Sequence, residues 1–291
     1  MSWAAHEFET YFIQKHVGVK ASYLAIAVGT FLPDLVTKHT VYEEGVDAAR
    51  FHRNWPGVGF THSLMFGLVL GVLVLAVTRS RSWALGIVIG QWAHVITDIS
   101  DTAGVMTWFP FTTENMSVGM WKHAAAEGPL GDAVAYYSGL GGIWDFFWFV
   151  MVMIFARRTL TADYFHRVIV PADPAAWRWM GRRLWLTDNG LLVVYRAYFL
   201  YGVSRMIIWF VYARFQIKAP WQPFWGGPLF VPGNYLVHGD WEAVALRLIG
   251  GGIAFCLFVW LCWITFLHRL WDRGEDPPGV RRGTGLHAAF H

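Results

Sequence analysis

The sequence predicts an all-helical integral membrane protein, on three observations. Of its 291 residues 55% are hydrophobic and only 15% charged, with a mean hydropathy of +0.37, outside the range of soluble globular chains. Apolar runs long enough for a hydrocarbon core of roughly 30 Å, which takes about 20 helical residues, recur along the chain. Many of the 18 tryptophans stand near the ends of those runs, where an amphipathic ring meets lipid headgroups. The runs show no useful β alternation. Backbone in lipid must satisfy its own hydrogen bonds, so helix is the expected state.

The elements follow in order. Residues 3–16 and 20–35 fit an N-terminal helical hairpin turning at Gly18, with arms of roughly 20 Å that bring His6 and Asp34 to the same end. A first span starting at Ala21 is the competing reading. Five transmembrane helices are then expected, at residues 60–78, 83–109, 139–156, 191–212 and 243–267. The organisation reads as a membrane domain carrying the candidate site (1–156), an Arg-rich cytoplasmic segment (157–190), two further membrane helices with an outward Pro/Trp-rich loop (191–268), and a cytoplasmic tail (269–291).

Basic residues set the orientation, because they accumulate on the cytoplasmic side. Arg79 and Arg81, then Arg157, Arg158, Arg178, Arg182 and Arg183, then Arg269, Arg273, Arg281 and Arg282 fall on one side if the five runs alternate. That places the C-terminus in the cytoplasm and the loops 41–59, 110–138 and 214–240 outside. A net charge of +3 gives no argument for nucleic acid. Cys256 and Cys262 lie in one apolar run and support neither a disulfide nor a metal knuckle. The acidic, interrupted N-terminus does not read as a cleaved targeting segment.

The chemistry concentrates in the first hundred residues. His94 and Asp98 stand four apart on a membrane helix, so they share a face and can reach one ion. Two ionisable groups at membrane depth need a partner, a cavity or a metal. His62 falls at the outer end of its helix, and the hairpin delivers His6 and Asp34 to the same level. Imidazoles with carboxylates form a borderline N/O set that suits zinc first, and manganese or iron second. Such a centre, with a water position left open, serves hydrolysis. The bland alternative is a hydrogen-bonded His/Asp pair gluing helices together.

A resemblance adds to this reading. Ala5-His6-Glu7, Leu32-Pro33-Asp34, Gly59-Phe60-Thr61-His62-Ser63-Leu64, and Gly90 to Asp98 followed by Thr102-Ala103-Gly104-Val105 and Phe109-Pro110 occur in that order over residues 1–111. Together they resemble the predicted membrane-bound metal-dependent hydrolases, including the LexA-regulated inner-membrane group. The resemblance implies a bacterial inner-membrane enzyme with His6, Asp34, His62, His94 and Asp98 as metal ligands or their immediate supports, and His62, His94 and Asp98 as the catalytic core. It also shows departures. Relatives commonly carry P-D-I-D where this chain has Pro33-Asp34-Leu35-Val36, and H-R-G where it has Gly57-Val58-Gly59. His39 and His52-Arg53 stand near enough to substitute.

Other polar residues carry weaker signals. Asp101 and Thr102 can cap or orient the site. His123 and Glu127 form an i, i+4 pair in an outward loop. Asp145 can face the same cavity or an interface. Arg196 and Arg205 lie on different faces of one apolar run, where one can meet a headgroup or an acidic partner. His238-Gly239-Asp240-Trp241 can belong to a lid or an aromatic anchor. No P-loop, dinucleotide fingerprint, nucleophile elbow or H-E-x-x-H pair is present. The expected function is therefore metal-assisted hydrolysis of a lipid-borne ester, most naturally a phosphoester, at the outer face, with membrane lipid as the partner. A non-catalytic membrane subunit and a transporter or proton relay are the alternatives.

Overall fold

The structure, a computed structural model, describes residues 3–38, 53–55, 57–117, 121 and 128–221. The helix expected at 243–267 with its two cysteines, the tail, His39, His52, His123, Glu127 and the loop around His238 lie outside the described residues. Their regular structure is helical, with main helices α1 (Ala5–Val17), α2 (Tyr23–Lys38), α3 (Leu64–Thr78), α4 (Arg81–Asp98), α5 (Gly128–Tyr137), α6 (Leu140–Thr159), α7 (Pro174–Arg183) and α8 (Asp188–Val211). Extended pairing among them is limited to two isolated bridges, Asp101 with Trp121 and Val105 with Met116.

Two of the described helices, Leu140–Thr159 and Asp188–Gln216, are long and apolar enough to cross a membrane, where four of the five expected spans fall within the described residues. The physical reasons are local. The run at 60–78 loses its first residues to a 3-10 turn, Gly59–His62, and Ser63 then caps α3 by accepting the N–H of Phe66, leaving 15 residues. The run at 83–109 stops being helical after Asp98. There Asp101 Oδ1 accepts the N–H of Gly104, which sits at φ +62°, so apolar residues beyond it belong to a loop.

The outer surface is apolar: Val72 and Val77 on α3, Phe146 and Ile154 on α6 and Val193 on α8 are all exposed. The inside, by contrast, holds a polar helix. α1 buries His6, Glu7, Glu9, Thr10 and Gln14, and each of these has a polar neighbour. Glu7 pairs with Arg205 of α8, Thr10 Oγ1 meets Thr30 Oγ1 at 2.9 Å, and Gln14 donates to the Gly18 carbonyl. Polar groups turned inward and apolar ones outward are what a lipid solvent requires.

α2 and α4 pack backbone to backbone through small residues. A Cβ on Gly90 would lie 2.4 Å from the Ile26 carbonyl oxygen, and one on Gly29 2.6 Å from that of Ile87. Small residues four apart, Ala25 and Gly29 against Gly86 and Gly90, permit this approach. The two helices run in the same direction. Ser22 N–H donates to the Ser82 carbonyl at one end, and Asp34 meets His94 at the other.

The Arg-rich segment is folded onto the bundle. Asp173 caps α7 and accepts from Ser22 Oγ and Trp83 Nε1, which ties the segment to the starts of α2 and α4. A tyrosine cluster closes the centre: Tyr11 donates to the Tyr195 carbonyl and receives the N–H of Phe199 and the hydroxyl of Tyr23.

Candidate metal centre

Five side chains from four elements meet at one end of the bundle. α1 supplies His6, α2 Asp34, the 3-10 turn His62, and α4 His94 and Asp98, and all are buried, with exposures of 0–3%. Around Asp98, His94 Nε2 lies 3.3 Å from Oδ2, His62 Nε2 3.6 Å from Oδ2 and His6 Nε2 3.7 Å from Oδ1. His94 Nε2 is 3.9 Å from Asp34 Oδ1. One potential ligand atom each from Asp34, His62, His94 and Asp98 all lie within 4.8 Å of one another. Ligands bonded at about 2 Å around a tetrahedral ion sit about 3.3 Å apart, so this spacing is close to what a metal demands. The buried Asp/His/His/Asp cluster can hold a metal ion.

Each histidine is oriented through its other nitrogen. His94 Nδ1 faces the Thr30 carbonyl at 2.7 Å, and a carbonyl only accepts, so Nδ1 carries the proton. Thr61 Oγ1 gives its proton to the Val58 carbonyl, so at 3.1 Å it accepts from His62 Nδ1. His6 Nδ1 lies 3.3 Å from Glu9 Oε2, whose other oxygen accepts from Thr97. In all three rings Nδ1–H is therefore engaged, and Nε2 is buried without a hydrogen-bond partner. Wherever these rings are neutral, their Nε2 lone pairs face carboxylate oxygens that also offer only lone pairs. Such contacts repel unless a cation lies between them.

The turn that carries His62 is fixed from α4. Gln91 Nε2 donates to the carbonyls of Thr61 and Ser63, and Trp92 Nε1 to that of Leu64. Arg53 completes the surroundings. It is 1% exposed, and its Nη2 lies 2.8 Å from Asp98 Oδ2 and 3.1 Å from Asp101 Oδ2. Burial works against its charge, but the nearby Asp98, Asp101 and Asp34 carboxylates outweigh that and hold its pKa above the ordinary arginine value.

The remaining sequence candidates are placed as follows. Asp101 is an orienting neighbour through Arg53, whereas Thr102 is exposed and its N–H donates to the Trp121 carbonyl. Asp145 faces neither the cluster nor an interface. It is fully buried and accepts the N–H groups of Ala4 and Ala5 and the hydroxyls of Tyr136 and Tyr137. Arg196 donates to the Leu160 carbonyl, and the acidic partner of Arg205 is Glu7. Sequence reasoning missed Glu9, Thr30, Thr61, Thr97 and Gln91 as supports. Glu9, an acidic residue three positions from His6 on a buried helix, was the one with a readable signal.

No curated protein and no solved structure matches the chain. The family described as YdjM inner membrane protein matches residues 4–170, more than half of the chain and all five clustered residues. This is the LexA-regulated inner-membrane group that the ordered motifs resemble. The chain belongs to the YdjM inner membrane protein family.

Proposed function

We propose that the protein is a membrane-bound, metal-dependent hydrolase that acts on a lipid-borne phosphoester at the outer face of the inner membrane. One observation carries the reading: three buried Nε2 lone pairs, each set by a hydrogen bond at Nδ1, converge on the carboxylate of Asp98. A proton can relieve one such contact, whereas a divalent cation relieves all of them at once. His62, His94, Asp34 and Asp98 would hold the ion, with His6 at its edge. The donor set favours zinc, then manganese or iron. When bound, the ion would supply Lewis acidity and a water activated near neutral pH. The chain's own residues do the rest: Glu9, Thr30 and Thr61 hold the rings in one tautomer, and the burial of the cluster limits competing solvent.

Orientation follows from α4. Its 18 residues separate Arg81 from Asp98 by about 27 Å, so an arginine end in the cytoplasm puts the cluster toward the outside. A multi-pass topology with a cytoplasmic C-terminus belongs to the same proposal. The test is hydrolysis of phosphomonoester, phosphodiester and phospholipid probes by protein purified in nanodiscs. Activity should vanish on chelation, return with zinc, and be missing in His94→Ala and Asp98→Ala.

A second reading, a non-catalytic membrane subunit, is favoured by Val36 and Val58, which stand where relatives carry polar residues. It predicts a metal-free protein of normal stability that hydrolyses none of the probes.

A further inference from the structure

We propose that Arg53 is the receptor for a phosphoryl oxyanion of the molecule that enters the candidate metal centre. The inference rests on the reading above and goes past it by naming the chemical group recognised and the residue that recognises it. A guanidinium carries five N–H donors. Both carboxylates within reach of Arg53 contact the same nitrogen, Nη2, whereas Nε and Nη1 are buried and have no hydrogen-bond partner. Three N–H donors of a permanently charged, 1% exposed group are thus left without an acceptor. Buried donors of this kind are costly to leave unmade, more so when charged.

The location ties those donors to the centre. Asp98 Oδ2 is shared: it lies 2.8 Å from Arg53 Nη2, 3.3 Å from His94 Nε2 and 3.6 Å from His62 Nε2. A group bound beside the imidazoles is therefore one carboxylate away from the guanidinium. Open N–H donors on a permanently charged group next to a cation position suit an oxyanion that places separate oxygens on the guanidinium and on the cation. A tetrahedral phosphoryl group can do this and keep a further oxygen for its ester or for a second N–H, whereas a carboxylate has no oxygen to spare.

The arginine is also held in advance. Any Cβ on Gly59 would lie 2.5 Å from the Arg53 carbonyl carbon, so the two backbones are in direct contact. The neighbouring Asn54 Oδ1 receives Asn115 Nδ2 at 2.7 Å, which pins the strand of chain bearing Arg53 to the loop after α4. A preset donor group loses little freedom on binding.

The test is calorimetric titration of inorganic phosphate, with acetate as control, into full-length protein in nanodiscs with zinc supplied. Wild type, Arg53→Gln and Arg53→Lys are compared, and zinc content is measured on each. The expected result is phosphate binding by wild type with acetate much weaker, and a loss of about tenfold to hundredfold in phosphate affinity in Arg53→Gln at unchanged zinc content. Arg53→Lys, which keeps the charge with fewer donors, should fall between and covers the case of an unfolded Gln variant. Equal phosphate affinity in wild type and variants, acetate binding as tightly as phosphate, or no phosphate binding by zinc-loaded wild type would each overturn the assignment. Zinc absent from wild type would instead sink the metal reading. Phosphate titrated into the metal-free proteins would then still decide Arg53, with loss in the variants supporting it and no difference refuting it.

Discussion

The imidazole of His6 is stacked on that of His94, with ring centroids 4.0 Å apart and planes inclined by 18°. The two rings come from helices that approach the site from different directions, and both turn Nε2 toward Asp98. Stacked neutral rings with parallel lone pairs form a rigid pair of donors. Two imidazolium ions so stacked would repel, so one cation bound outside the rings suits the pair better than a proton on each.

The supports of the rings should therefore matter nearly as much as the rings. Glu9→Leu and Thr61→Val each remove the group that fixes an Nδ1 proton, leaving the ligand atoms in place. Metal affinity, measured by chelator competition, should drop about 10- to 100-fold in each variant. Unchanged affinity would show that the tautomers are not held this way.

Asp145 acts at a distance through the helix that carries His6. Its two oxygens accept four donors, among them the N–H groups of Ala4 and Ala5 at the start of α1. Asp145→Ala leaves those buried donors unmet and should cost about 3 kcal/mol or more in stability. Thermal unfolding monitored in detergent should show the loss, with Asp145→Asn intermediate.

The Glu7–Arg205 pair joins α1 to α8 inside the bundle, with the guanidinium also lying 5.5 Å over the ring of Trp3. Arg205→Met strands a buried carboxylate and should destabilise by about 3–5 kcal/mol. Adding Glu7→Gln to that variant should recover a substantial part, and a double-mutant cycle reads the coupling. Strictly additive effects would mean the ion pair contributes nothing.

Helix spacing sets the position of Asp34. Gly90→Val would drive a side chain into the backbone of α2 at Ile26, separating α2 from α4. Loss of bound metal together with a lower melting temperature is expected. Retained metal at wild-type affinity would show that Asp34 is not needed in the ligand set.

How far the sequence could be read depended on the range of the interaction. The i, i+4 spacing of His94 and Asp98 and the position of His62 at a helix head are local, and the length of the hairpin arms was enough to bring His6 and Asp34 to the same end. The end of α4 at Asp98 was hidden, because Val105, Met106 and Phe109 continue the apolar composition while Asp101 and Gly104 turn the chain. Arg53 could be noticed but not placed, since its contacts with Asp98 and Asp101 depend on how two loops fold together. The link from Asp145 to Ala5 spans 140 positions and leaves no periodic trace.

The most direct test of the central claim is X-ray absorption at the metal edge of the purified, zinc-loaded protein. The account predicts one bound ion per chain with at least two imidazole nitrogens at about 2.0 Å, and loss of that imidazole signal in His62→Ala and His94→Ala. A spectrum of oxygen ligands alone, unchanged by those substitutions, would contradict it.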